Sequence, residues 1–441
     1  MRTAILTFLL LFYAAATVPG QIRLQGEAIK VDDHNPTAAI VNYTGDAAMR
    51  DALLKMLSAC DWFTVITDAN ARRATVQLTA TGSVAGPEHE LSGKAAVAGK
   101  GTFQLNGKGG TANEAAADFT DKLLRQLFNV PALCTRRIVY VQTGRNGLKE
   151  LFSCDIAGGD AQRLTFNNAI STEPSWGHAG ALVYTLNARN SLSIVLHDAI
   201  GRRHRVVSTA RGLNSSPALS RNGQYIALPM SFGKQVDLFL IDLKTSTRTR
   251  LTQDRSVESS PTFSPDGRRL CYVSDKSGRP QLYVMELSSR SSKRITQGGE
   301  AVSPEWSPVS NKLCYAQRAS SGQYVIRVLD MAKSGSEPVT VTEAAGNWEA
   351  PSWAPDGRHI VCTRKSGSGQ QLFIVDSWLH AFQRLPVRAS GVSLPAWQSA
   401  NWNGLPHGHF PARMRLRAMA APGSICVKLA ADATTPLHPN T

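Results

Sequence analysis

The chain has 441 residues, of which 42% are hydrophobic and 18% charged, and it carries a net charge of +15. That length and apolar content exclude a disordered chain and provide for two packed domains. The basic excess is scattered over predicted turns and outer strands, as at Arg202, Arg203, Arg248, Arg250, Lys293 and Arg294, with no basic run interleaved with aromatics, so nucleic acid is not the expected partner.

In chain order, residues 1–20 carry one charge at Arg2, an apolar run from Ala4 to Ala16 and then small residues, which is the layout of a secretory signal peptide. The apolar run is too short to cross about 30 Å of hydrocarbon as a helix. Cleavage after Ala16 or Gly20 is expected to release an exported protein.

Residues 21–131 read as a small α/β domain. Asp46 can cap a helix on which Met49, Leu53, Leu57 and Cys60 recur at helical spacing, and a strand-like run follows at Phe63 to Ile66. Further strands are expected at Ala74 to Thr81 and through Leu91 to Leu105. Thr111-Ala112-Asn113-Glu114 is a capping-box pattern that opens a second helix, with Ala116, Phe119, Leu123 and Leu127 on one face and an end near Asn129, ahead of Pro131. The Gly-rich stretch from Gly99 to Gly110 lacks the phosphate-cradling pattern and reads as a loop or hairpin.

Residues 137–398 are organised by a repeat whose clearest copy is Glu258 to Thr296. Strand-like runs at Pro261 to Phe263, Arg269 to Ser274, Gln281 to Leu287 and Lys293 to Thr296 are separated by turn chemistry at Pro265-Asp266-Gly267 and Ser277-Gly278. A Pro-x-aromatic element marks the copies at Pro174, Pro261, Pro304, Pro351 and Pro395, with Pro217-Ala218-Leu219 as a variant, at spacings of 43 to 47 residues. That period, with Val, Ile, Tyr and Thr broken by Gly and Pro, is that of four-stranded propeller blades. Ile138 to Val141, Glu150 to Ile156 and Gln162 to Thr165 lack a first strand, whereas Pro395 to Trp397 is a first strand without followers. The two fragments complete one blade, which predicts a six-bladed ring closed by a C-terminal strand.

In such a ring the loop leading into the first strand and the loop between the second and third emerge on one face. That face is expected to collect Glu173, Ser216, Glu258, Ser260, Ser303 and Glu349 around the channel and Ser274 to Gln281, with Asp275 and Arg279, further out. Glu173, Glu258 and Glu349 are expected at corresponding positions, as a locally acidic opening or as solvated strand ends. The PDG turns, including Pro355-Asp356-Gly357, open on the opposite face. The repeated Trp residues fall inside strands, where burial between blades is expected.

Catalysis is not expected: no G-x-S-x-G elbow is present, and the ten His residues do not cluster, His178 lying at a turn and His407 and His409 in the tail. His407-x-His409 is read as no metal site, and no cofactor is implied. Of seven cysteines, at least one lacks an intramolecular partner. Cys271 and Cys314 take the same position in successive repeats, a blade apart and beyond the roughly 7 Å limit for a disulfide, and read as small buried apolar residues, with Cys362 one step along on the opposite face. Residues 399–441, with Arg413, Arg415 and Arg417, show no strand or helix pattern and read as a disordered tail.

The hairpin Ser274-Asp275-Lys276-Ser277-Gly278-Arg279-Pro280-Gln281-Leu282-Tyr283 resembles the SDxxGxPQ(I/L/V)Y hairpin of the TolB family. Glu173-Pro174-Ser175-Trp176, Ser264-Pro265-Asp266-Gly267, Arg137-Ile138-Val139-Tyr140-Val141 and Pro395-Ala396-Trp397 support the likeness, which covers residues 21–398. The resemblance implies a monomeric periplasmic scaffold of the Tol-Pal system without chemistry of its own, acting in outer-membrane integrity and cell division and reaching that membrane only through a lipoprotein. The lipoprotein partner Pal is then expected on the channel face, at Glu173, Ser216, Glu258, Ser260, Ser303, Glu349, Asp275 and Arg279. A TolA-like inner-membrane protein is expected on the segment from Gln21 to Asp32, which opens with Gln21, Ile22, Arg23 and Leu24. The alternative is a propeller enzyme or binding module acting on a cell-wall polymer.

Overall fold

The computed structural model describes residues 34–399 apart from 178–179, 190, 199–202, 210–211, 234 and 368. The expected signal segment, Gln21, Ile22, Arg23 and Leu24, His178, and the tail from residue 400 on, with His407 and His409, lie outside the described residues.

Strand β1 (Thr37–Gly45) leads into helix α1 (Ala47–Ala59), where the Asp46 carboxylate accepts from the Met49 N–H at 3.0 Å as the expected cap. Then come β2 (Thr64–Val65), β3 (Val76–Ala85), β4 (Glu88–Val97), β5 (Gly101–Gly109) and helix α2 (Ala112–Phe128). The sheet order is β2-β1-β3-β4-β5, with β1 parallel to both neighbours and the remaining pairs antiparallel. Both helices bury apolar faces against it, α1 through Met49, Leu53, Met56 and Leu57 and α2 through Phe119, Leu123 and Leu127. The Gly-rich stretch is the β4–β5 hairpin. Gly107 lets β5 approach α2 so closely that a Cβ there would lie 2.2 Å from the Ala115 carbonyl oxygen. Strand β1 was not among the expected elements: TAAIVNYTG has no period-two alternation, because its burial comes from a central place in the sheet.

Helix α2 ends at Asn129, in the left-handed region at φ 54°. The connection to the ring is then pinned by the buried Asp121 of α2, whose carboxylate accepts from the N–H groups of Leu133, Cys134 and Thr135 and from the Thr135 hydroxyl at 2.6 to 3.0 Å.

The ring begins with three strands, β6 (Ile138–Thr143), β7 (Lys149–Cys154) and β8 (Gln162–Arg163). Blade 2 holds β9 (Ile170–Trp176), β10 (Leu182–Ala188), β11 (Ser191–Asp198) and β12 (Arg203–Ser208). Blade 3 holds β13 (Ala218–Leu219), β14 (Tyr225–Phe232), β15 (Gln235–Asp242) and β16 (Arg248–Arg250). Blade 4 holds β17 (Glu258–Phe263), β18 (Arg269–Ser274), β19 (Gln281–Glu286) and β20 (Ser292–Arg294). Blade 5 holds β21 (Ala301–Trp306), β22 (Lys312–Arg318), β23 (Tyr324–Asp330) and β24 (Val339–Thr340). Blade 6 holds β25 (Asn347–Trp353), β26 (His359–Ser366), β27 (Gly369–Asp376) and β28 (Ala381–Arg384). Finally β29 (Val392–Trp397) pairs antiparallel with β6, Trp397 opposite Ile138 and Val392 opposite Gln142, and completes blade 1 as the repeat predicts. Gln398 extends this clasp by donating its N–H to the Arg137 carbonyl and accepting from the Arg137 N–H, both at 3.0 Å.

Each blade is a meander of antiparallel strands. In four blades a repeated hydroxyl just after the short outer strand anchors it: Thr165, Thr252, Thr296 and Thr342 accept from the N–H groups of Leu151, Leu238, Leu282 and Ile326 at 2.8 to 2.9 Å. Between blades the packing is apolar. Cys271, Leu282, Trp306 and Tyr315 form one such layer, and Cys314, Trp348, Trp353 and Cys362 the next. The expectation that Cys271, Cys314 and Cys362 fill cores is met.

The first domain packs on the ring face that carries the PDG turns, at blade 6. Trp62 donates its indole N–H to Asp356 of the Pro355-Asp356-Gly357 turn at 3.0 Å, and the fully buried Arg358 guanidinium packs on both the Trp62 and Trp378 rings, 4.6 and 5.1 Å from their centroids. Arg358 also donates to Asp376 and to Asn35 Oδ1, so one cation ties the loop before β1 to blade 6.

Candidate functional site

Six inner strands, β29, β9, β13, β17, β21 and β25, surround the channel. Each contains, or in β13 directly follows, an X-Pro step whose X residue has positive φ: Glu173 at 54°, Ser216 at 43°, Ser260 at 48°, Ser303 at 51°, Ala350 at 49° and Leu394 at 48°. A residue before proline favours extended backbone, and a non-glycine residue in the left-handed region is strained, so this conformation is held by its surroundings. In the ladders the same step appears as one extra residue, for example between Ser259, which faces Val273, and Thr262, which faces Cys271. The six steps together line a channel cavity of about 270 Å³.

Its wall is built from hydroxyls (Ser175, Ser216, Ser260, Thr262, Ser303 and Ser352) and from indoles at Pro+2. Trp306, Trp353 and Trp397 are buried, as expected, and Trp176 is half-buried. Two of the indoles staple neighbouring blades: Trp176 Nε1 donates to the Ala396 carbonyl at 3.1 Å, and Trp353 Nε1 to the Glu305 carbonyl at 3.2 Å. At the turn end, Arg221 of blade 3 donates to the Pro308 carbonyl of blade 5.

Of the eight residues expected on the channel face, four line the channel: Glu173, Ser216, Ser260 and Ser303. Glu173 holds the ring together, accepting from the Ser216 N–H and hydroxyl at 2.6 and 2.8 Å and from the Thr185 hydroxyl at 2.8 Å. Asp275 and Arg279 are exposed on the β18–β19 hairpin, where Asp275 accepts from the Val257 N–H at 2.9 Å.

The picture of three equivalent acidic groups at the mouth is corrected. Glu173, Glu349 and Glu258 stand one, two and three residues before their prolines, so they point to different environments. Glu349 is half-buried and faces Thr363 in the ladder. Glu258 is fully buried, and its carboxyl accepts from the hydroxyls of Thr252, Ser256 and Ser274. Burial, with the Asp254 charge nearby, outweighs those hydroxyls and pushes it up to about 7.

A carboxyl that the sequence reading passed over stands in the channel wall. Glu305 occupies the Pro+1 position, where the other blades carry Ser175, Ala218, Thr262, Ser352 and Ala396. Burial raises it to about 8 against hydrogen bonds from the Ser352 hydroxyl and the Trp353 N–H. The break in small residues at Pro+1 was the available signal.

The family model described as TolB beta propeller domain matches residues 126–401. The chain belongs to the TolB family. A Tol-Pal system protein TolB of Gluconobacter oxydans is 32% identical over 317 residues, covering 68% of this chain and 69% of that protein. The Tol-Pal system protein TolB of Desulfosudis oleivorans is 30% identical over 136 residues, so there the chain spans 31% of the relative's length. The crystal structure of TolB from Acinetobacter baumannii shares the fold at a TM-score of 0.74 and 21% identity, covering 85% of this chain and 99% of that one.

The TolB fold also gathers ionisable groups where its two domains meet. Asp61, His359 and Asp376 offer ligand-type atoms within 4.8 Å of one another. Both Asp376 oxygens are committed, however, to Arg358 and to the Trp378 and Leu379 N–H groups, so the cluster is an ion-pair network. His359 Nδ1 bonds Asp356 at 2.6 Å, while its buried Nε2 lies 3.8 Å from Asp61. Burial opposes the imidazolium, but Asp356 and Asp376 outweigh it and hold the group above its usual value. Nothing along the chain announced this network, since a PDG turn reads as local chemistry.

Proposed function

We propose that this chain is an exported, non-catalytic component of the Tol-Pal system that docks a Pal-like peptidoglycan-associated lipoprotein on the ring face opposite the first domain. A TolA-like inner-membrane protein engages the segment opening with Gln21, Ile22, Arg23 and Leu24. The observation that carries the reading is the division of labour between the two faces. The first domain is seated on the PDG-turn face at blade 6 through Trp62, Asp356 and Arg358, and the Asp275–Arg279 hairpin, exposed at the other end of the strands, is open to a partner. Membership of the family, and relatives whose names place them in the Tol-Pal system, support it. The channel wall supports binding over catalysis, because its polar groups are hydroxyls, indoles, two carboxyls and Arg221, arranged to bond one another.

The test is affinity capture from detergent-solubilised envelope, with the mature protein as bait beside Arg279→Glu and Ser303→Arg. Both positions can be changed without removing a core contact, whereas reversal at the buried Glu258 would unfold blade 4. The wild type is expected to retain a peptidoglycan-binding lipoprotein, and each variant to lose most of it at an unchanged melting temperature. Equal capture by both variants would remove the channel face as the docking site, and capture of glycan instead would replace the partner.

A further inference from the structure

We infer that the partner docked on the hairpin face presents an acidic protein surface, steered and seated by a crown of Lys and Arg on the hairpins between the second and third strands of the blades. Every blade carries a base at that connection. They are Arg145 between β6 and β7, Arg189 between β10 and β11, Arg279 between β18 and β19, Arg318 at the end of β22 and Lys365 near the end of β26. Between β14 and β15 the sequence reads Gly233-Lys234. The five described bases are all exposed. Asp275 is the one acid on these connections, and its carboxylate is engaged by the Val257 N–H at 2.9 Å. Tight turns hold the crown in place: the N–H groups of Gly144, Gly278 and Ala319 donate to the carbonyls of Leu148, Asp275 and Gln323 at 2.7 to 2.8 Å. Among the described residues Arg145, Arg189, Arg279 and Lys365 take part in no ion pair, and Arg318 shares Glu300 at 3.3 Å.

At the opposite ends of the strands charge is mixed. The turns from third to fourth strand in blades 3, 4 and 5 each set a carboxylate beside a base: Asp242 and Lys244, Glu286 and Arg290, Asp330 and Lys333. Fixed cations without matching carboxylates set up a positive potential that gathers an acidic partner. Between blades 4 and 5 the crown also shapes a cleft of about 610 Å³, where Arg279 and Arg318 stand with Glu300 over the backbone of Gly278 and Gly299. Arg279 reaches the Gly298 carbonyl only at 3.5 Å, and Arg318 rests 5.2 Å from the centre of the Tyr324 ring. Their other N–H groups offer the fork that a carboxylate side chain takes. With Glu300 in its wall the cleft keeps one net positive charge, the complement of a single carboxylate. This inference rests on the docking reading above, which makes the occupant a protein; the crown adds that its contacting side is acidic.

To separate the two, the purified chain is compared with two triple variants of unchanged melting temperature. One carries Arg145→Glu, Arg189→Glu and Lys365→Glu on the hairpins, the other Lys244→Glu, Arg290→Glu and Lys333→Glu on the opposite turns, all at exposed positions. The probes are the soluble domain of a peptidoglycan-associated lipoprotein and a labelled decaglutamate peptide, each followed by association kinetics over a range of salt. At low salt the lipoprotein domain should associate about ten-fold more slowly with the hairpin variant and within about two-fold of wild type with the turn variant. The difference should fade towards 1 M salt, where the Debye length is about 3 Å. Decaglutamate should bind the wild type and the turn variant but not the hairpin variant. Lipoprotein binding that is equal in all three proteins and level in salt would overturn this inference and leave the docking reading standing. Decaglutamate held through the hairpins without lipoprotein binding would support the acidic-ligand surface and remove the docking reading. Equal loss in both variants, or retention of phosphatidylglycerol vesicles in place of either probe, would overturn the crown.

Discussion

Three ionisable groups, the buried Glu258 and His359 and the half-buried Glu305, make the stability of this protein depend on pH in one direction. Glu258 is raised from 4.5 to about 7 and Glu305 from 4.5 to about 8, so between those limits the folded chain holds protons that the unfolded chain has released. His359 is held above 6.5 by Asp356 and Asp376, so its contribution is complete below 6.5 and is lost as the pH rises through its higher folded value. In each window the native state binds more protons, and stability therefore falls as the pH rises. Denaturant midpoints measured from about pH 5 to about pH 8 should decline. Glu258→Gln should flatten the part between 4.5 and 7 by on the order of 2 kcal/mol; a wild-type profile that is level across this range would contradict the burial argument. None of the three environments could be read from the residue alone. Glu258 stands at a strand start and looks solvated until the hydroxyls of Thr252, Ser256 and Ser274, from a neighbouring loop and strand, are brought around it.

Among the elements, the meander strands were legible because each outer turn carries its own chemistry and each blade repeats it. The Gly267, Gly278 and Gly357 turns all use positive φ, which the Pro-Asp-Gly and Ser-Gly signals announce. The inner-strand bulge was not legible, because no sequence rule places Glu, Ser, Ala or Leu in the left-handed region before proline. It recurs on the inner strand of every blade, around the channel. The strain can be measured at Ala350, whose methyl cannot hydrogen-bond and whose φ is 49°. Ala350→Gly should hold or raise stability by up to about 1 kcal/mol, since glycine adopts this backbone freely although it costs entropy in the unfolded chain. Ala350→Val should lower it by about 1–2 kcal/mol, since a β-branched side chain is an outlier there. Equal midpoints for the two variants would mean that the bulge relaxes. Strand β1 escaped for the opposite reason, having no local signal and owing its place to neighbours on both sides.

For the molecule as a whole, six blades and their closure followed from the spacing of prolines, whereas the seating of the first domain did not, because Trp62 and Asp356 are 294 residues apart and nothing in either segment refers to the other. The clasp of β29 on β6 can be tested by shortening the chain. Ending it after Ser399 keeps Gln398 on Arg137 and the Ser399 hydroxyl on the Gly177 carbonyl and should leave the unfolding midpoint unchanged. Ending it before Val392 removes the inner strand of blade 1 and the Trp397 N–H bond to Ser352, and should lower the midpoint and spread the transition; an unaltered transition would mean that blade 1 stands on three strands.

That clasp also sets a timetable. Pairing Ile138 with Trp397 joins the first ring strand to the last, and contacts so distant along the chain form late, after their loop-closure entropy has been met by everything between. As the chain emerges from its N-terminal end, blades 2 to 6 can each assemble from their own four strands, while β6, β7 and β8 wait with an open edge. The first blade to be synthesised is thus the last to be finished, and until its final strand arrives the nascent propeller is an arc with two sticky ends.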